Sequence, residues 1–305
     1  MQYLKKFFFT CFVILFCCNC YAKELNILVS ITPIYSLVKN VTGNLQNVQL
    51  LIDKNMCPHH YQLRPSDVRK INNADMIITI GDGYETFLFN YLNKVNVVAR
   101  IIRLTNTPGL KLLPIKKKSL TTTQHRYPDL MHFDLNFWSS TKNAEVIVKW
   151  IASELSTLDP KHAQIYSHNA QATLAKLSKL NLKMKKILAP VTHKNFIVLE
   201  DEYQYLEKEY DLSNVGTVVA DHNLGYSAQK LRQIKNTVAE KNAKCILIEP
   251  HTPKTLVKKI SRVTGAKVAY VDIEWGHANK KTSDKNLYFS IMEYAAQNIS
   301  KCLSD

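Results

Sequence analysis

Leu25-Asn26-Ile27-Leu28-Val29-Ser30-Ile31-Thr32-Pro33 opens the part of the chain whose reading decides the fold. The apolar run over 25–31 suits a buried strand, and the amphipathic stretch from Pro33 to Val41 suits a helix, with proline in its first turn. The same alternation continues downstream. A short strand is expected over 48–52, and Pro65-Ser66-Asp67 opens a helix carrying Val68 and Ile71. A strand over 76–80 ends at Gly81-Asp82-Gly83, and a helix over 84–92 and a strand over 97–104 follow. Strands alternating with helices imply βα units and a mostly parallel sheet.

Residues 105–131 carry prolines, lysines and threonines without periodicity and read as a surface loop. Helical period returns over 140–158, through Val146, Val148, Ile151 and Leu155. Asp159-Pro160 then starts a long helix. Ala170, Leu174, Leu177, Leu180, Met184 and Ile187 recur at spacings of three and four, and nothing breaks the pattern before Pro190. Its alternative is a coiled-coil arm. Beyond it, strands are expected over 196–199, 217–220, 245–248 and 268–273, and helices over 231–238, 255–263 and 287–299. No internal repeat is visible. The simplest account is an α/β protein of two lobes, each a mostly parallel sheet flanked by helices, joined by one long rigid helix. The divisions fall at 1–22, 23–158, 159–189 and 190–305.

The segment 1–22 reads as a cleaved export signal. Lys5 and Lys6 precede a short apolar run, and Cys20-Tyr21-Ala22 offers small residues before a cut. Its loss takes the formal charge from +15 to +13. The lysines are scattered and do not alternate with aromatics, so nucleic acid is not the expected partner. Of seven cysteines, Cys57, Cys245 and Cys302 remain after cleavage. An oxidising compartment lets two of them pair, and spacing leaves open which two.

Chemistry concentrates in Cys57-Pro58-His59-His60-Tyr61-Gln62-Leu63-Arg64-Pro65-Ser66-Asp67. Two histidines after a strand and before a helix sit at a strand's carboxyl end, where open α/β sheets bind ligands. Neutral imidazole is a common transition-metal ligand, and Cys57 as a thiolate would be a soft one. This stretch, with Asn73-Ala74-Asp75, Gly81 and Glu85, resembles the solute-binding proteins of zinc and manganese ABC importers, zinc-uptake type. The likeness runs over nearly the whole mature chain and includes the long central helix.

The resemblance implies a periplasmic, monomeric, non-enzymatic receptor that hands a divalent metal to an ABC importer permease. It puts the metal ligands at His59, Asn136, Glu200 and Asp272. Asn136, in Asp134-Leu135-Asn136-Phe137-Trp138, stands where a histidine is expected, and His132 is the candidate in its place. It also implies a Cys245–Cys302 disulfide with Cys57 free. Two carboxylates and one imidazole favour manganese or ferrous iron, whereas overall likeness favours zinc. Two other classes remain as alternatives. One is a metal hydrolase, although no His-Glu-x-x-His helix is present. The other is an adhesin-like or degenerate receptor without metal.

Overall fold

The computed structural model describes residues 24–53, 56, 61–116, 132–218, 227–274 and 282–304. The expectations at residues 1–22, at Cys57, His59 and His60, and at 117–131 lie outside the described residues.

Four strands form the first sheet: β1 (Asn26–Val29), β2 (Asn47–Leu50), β3 (Met76–Thr79) and β4 (Arg100–Arg103), all parallel, in the order β2-β1-β3-β4. The two central strands read as unbroken apolar runs because both faces are covered. Helices α1 (Thr32–Thr42), α2 (Pro65–Asn72) and α3 (Thr86–Leu92) connect them. After α4 (Thr141–Leu158) and α5 (Ala163–Leu188) a second parallel sheet is built from β7 (Phe196–Val198), β8 (Asn214–Thr217), β9 (Cys245–Ile248) and β10 (Lys267–Tyr270), in the order β10-β9-β7-β8. Counted from its own first strand, this sheet has the same order as the first. The topology therefore repeats although the sequence does not. Helices α6 (Gln204–Tyr210), α7 (Ala228–Glu240), α8 (Lys254–Thr264) and α9 (Leu287–Leu303) complete the chain.

Two expectations change. The strand anticipated over 217–220 lies at Asn214–Thr217, paired with β7 across a register shift. Asn214 and Gly216 disguise it as a turn. β5 (Leu113–Pro114), inside the anticipated loop, pairs antiparallel with β6 (Phe133–Asp134), just beyond it, a contact too short to leave a period. Helix α6 was also not anticipated.

The long helix α5 has 26 residues, about 39 Å at 1.5 Å per residue. It packs on α1, α4 and α9. Its Tyr166, Ala170, Leu177, Leu180, Met184 and Leu188 enter one core that contains Leu37 and Ile151 of the first lobe and Phe196, Val198 and Leu247 of the second. Alternation along β7 separates the two sides of the second sheet. Phe196 and Val198 face this shared core, while Ile197 and Leu199 face Ile234 and Ile260 of α7 and α8. The helix start is pinned by Asp159, whose Oδ2 accepts from Tyr166 Oη at 2.6 Å and Gln46 Nε2 at 2.8 Å and meets His162 Nδ1 at 2.7 Å. Burial opposes the charge on Asp159, but the Tyr166 and His162 contacts outweigh it and hold the carboxyl below its usual range.

The lobes are also tied through α9. Tyr35 Oη donates to Asp284 at 2.8 Å, and Tyr288 N donates to Ser36 Oγ at 3.0 Å, both across from α1. No helix among the described residues is long and apolar enough to cross a membrane.

Cys245 of β9 and Cys302 of α9 form the expected disulfide, with Cα atoms 5.8 Å apart and a sequence separation of 57. It fastens the helix that bridges both lobes to the centre of the second sheet. In the chain-entropy account a loop of that length contributes about 4 kcal/mol. Cys302→Ser should therefore lower the denaturant midpoint substantially under oxidising conditions, and added reductant should lower that of the wild type to a similar value. A midpoint unmoved in both would contradict this role.

Candidate metal centre

The first lobe's contribution is shaped by two locked loops. In the first, Tyr61 Oη donates to Asp67 Oδ2 at 2.8 Å, and the same oxygen accepts from Arg64 N at 2.9 Å, closing the entry to α2. Burial, then the Asp67 contact, pushes the Tyr61 hydroxyl up to about 12. The spacing from Tyr61 to Asp67 thus braces the chain between Tyr61 and the start of α2. In the second, Asp134 Oδ1 accepts from Asn136 N at 2.8 Å and from Asn136 Nδ2 at 3.1 Å. Asn143 of α4 holds this loop by donating to Phe137 O at 3.2 Å and Lys111 O at 3.0 Å. His132, one residue before β6, is exposed.

The seam between lobes is polar and specific. Trp138 Nε1 donates to Ile273 O at 3.0 Å, and Tyr205 Oη donates to Asp134 O at 2.7 Å while accepting from Leu113 N at 2.9 Å. Tyr84 Oη donates to Glu274 Oε1. The turn that presents Tyr84 is held by Glu85, which accepts from Ile80 N at 2.8 Å and Gly81 N at 3.0 Å. Only glycine fits at 81, because a Cβ there would stand 2.7 Å from Thr105 Oγ1.

In the second lobe the order of strands reverses between β7 and β9, the place where open α/β sheets leave a crevice at their carboxyl ends. Glu200 follows β7, Glu249 and His251 follow β9, and Asp272 follows β10. Glu200, Glu249 and His251 each present a ligand atom within 4.8 Å of the others, and His251 Nε2 stands 3.4 Å from Glu200 Oε1. Asp272 is buried, its Oδ1 accepting from Glu274 N at 2.9 Å.

Acidic charge accumulates here. Burial, then the charges of Glu200, Asp134, Asp272 and Asp201, raise the Glu202 carboxyl far above its usual range. Glu249 is raised likewise, by burial and then by Glu200 and Glu202. Asp134 is pushed up to about 7, chiefly by burial. Lys116 offsets part of the charge at the rim, 2.8 Å from Asp201 and 2.5 Å from Glu207. Two buried oxygens, Asp134 Oδ2 and Glu249 Oε1, have no hydrogen-bond partner among the described residues. Buried carboxylate oxygens without donors, crowded by like charges, fit a cation. The donor set is oxygen and imidazole, suited to a divalent transition metal.

The profile of the family described as "Zinc-uptake complex component A periplasmic" matches residues 27–302. The chain belongs to that family. Among curated relatives, the high-affinity zinc uptake system protein ZnuA of Brucella suis is 27% identical over 320 aligned positions, covering 95% of each chain. The protein of the same name from Haemophilus ducreyi is 26% identical, covering 92% of this chain and 93% of its own. A crystal structure of ZnuA superposes with a TM-score of 0.75 at 26% identity, over 92% of this chain and 100% of that one.

Within this zinc-uptake component fold, sequence reasoning singled out Glu200, Asp272 and Asn136. The structure sets Glu200 and Asp272 after β7 and β10, two strands of one sheet with β9 between them, and Asn136 beside Asp134 after β6. Sequence reasoning marked Glu249-Pro250 only as a likeness to the zinc-type branch and named neither Glu249 nor His251 as a ligand. Their signal was available, since both directly follow the apolar run 245–248. Tyr205 is the buried clasp between the hairpin and α6. Tyr205→Phe should cost about 1–3 kcal/mol in urea denaturation, because it strands a buried N–H and a carbonyl. An unchanged midpoint would show the clasp to be idle.

Proposed function

We propose that this protein is a periplasmic receptor that binds zinc between its two lobes and delivers it to the permease of an ABC importer, and that it is not an enzyme. The observation that supports this reading best is the crowd of carboxylates at the strand ends, Glu200, Glu249 and Asp272, facing Asp134 and Asn136 across the seam. His59, which precedes Tyr61 and Asp67 in the sequence, is the proposed imidazole ligand from the first part of the chain. Asn136 is the oxygen donor on that side, with His132 as its alternative. A cation that draws ligands from both lobes favours the state in which they are correctly spaced, and a permease can read that state. The relatives named as zinc uptake proteins support zinc. A carboxylate-rich shell makes manganese the second reading.

Zinc added to the mature protein after chelator treatment should raise its melting temperature by several degrees. At a hundredfold excess over Kd, mass action supplies about 2.7 kcal/mol. His59→Ala should remove most of that shift in calorimetry and in the melt. Absence of binding for zinc, manganese and ferrous iron alike would end the receptor reading.

A further inference from the structure

The geometry points to His251, with Glu249, as ligands of the bound metal, the imidazole standing in for the histidine that Asn136 replaces. This assignment rests on the metal-receptor reading above and names the donors of that site.

Three observations carry it. First, His251 Nε2 and Glu200 Oε1 lie 3.4 Å apart. Two donor atoms on one tetrahedral zinc, each at about 2.0–2.1 Å, are themselves about 3.4 Å apart. The pair is therefore spaced like one edge of a coordination tetrahedron and is long for a charge-assisted hydrogen bond. Second, Glu249 is buried and its Oε1 has no hydrogen-bond partner among the described residues, although Thr252 Oγ1 lies 3.5 Å from its other oxygen. A carboxylate oxygen held that way beside Glu200 needs a cation or a proton. Third, the topology puts both residues in the right loop. Strand β9 runs between β7 and β10, so the turn after it rises between Glu200 and Asp272.

Asn136 is less suited to the position. Its amide nitrogen is committed to Asp134, and its neutral oxygen is a weak donor towards zinc. An imidazole reaching in from the solvent edge of β9 restores a nitrogen donor without rebuilding the hairpin. An imidazole from His251 adds a softer donor to a shell of carboxylate oxygens, which shifts the balance back from manganese towards zinc.

The test uses the mature full-length protein and zinc alone. X-ray absorption fine structure of the 1:1 complex should show one imidazole fewer in His251→Gln than in the wild type. Competition with a chromophoric chelator should show zinc affinity reduced by at least about tenfold in His251→Gln and in Glu249→Gln. His251 lies at the solvent edge, so metal-free His251→Gln should melt like the wild type. If the wild type binds zinc and His251→Gln keeps both its affinity and its imidazole count, His251 is only an ion-pair partner of Glu200 and the assignment is overturned while the receptor reading stands. If the wild type binds no zinc, both fall.

Discussion

Glu200, Glu202, Glu249 and Asp272 carry like charges into a partly buried crevice, and Asp134 meets them from the opposite hairpin. Ionised together in a partly buried setting, such groups repel one another. Left to itself a chain would spread them apart. The fold prevents this by binding both lobes to one apolar core. Helix α5 lies against α1, α4 and α9, α9 reaches back to α1, and the disulfide fixes α9 to β9. The repulsion is then relieved by protons or by a cation, and the raised carboxyls of Glu202 and Glu249 are the signature of that tension. A protein with formal charge +15 that concentrates its acids at one seam has an electrostatic contrast that draws a cation inward.

The two sheets show why such a fold was readable. Strands β1, β3, β7 and β9 are central, covered on both faces, and therefore unbroken apolar runs. The long helix was legible because its buried positions recur at three and four residues from Ala170 to Met184. Less legible were the elements that depend on partners. Strand β8 is an edge strand with Asn214 and Gly216 inside it, and its identity comes from pairing with β7 rather than from composition. The β5–β6 pair holds two residues on each side, and its existence depends on Tyr205 bonding both Leu113 and Asp134. The repeated strand order left no trace in the sequence because connection handedness and adjacency, not identity, fix it.

The site divides along the same line. Glu200 and Asp272 stood out by resemblance, and in the structure they follow β7 and β10, the strands on either side of β9. Glu249 and His251 escaped notice because spacing along the chain does not say that β9 inserts between β7 and β10. Once that order is known, the residues after β9 must rise between the other two. Asp134 was visible as part of a motif, but its burial and its hold on Asn136 required the hairpin.

The claim on which the account turns is that one metal sits at the carboxyl ends of β7, β9 and β10, bridging to the first lobe. Crystals of the mature protein grown with one equivalent of zinc, measured at the zinc absorption edge, address it directly. The account predicts a single anomalous peak about 2.0–2.2 Å from carboxylate oxygens of Glu200 and Asp272, with an imidazole from the first lobe in the shell. A peak elsewhere on the surface, such as beside His162 and Asp159, with none at the strand ends would contradict it.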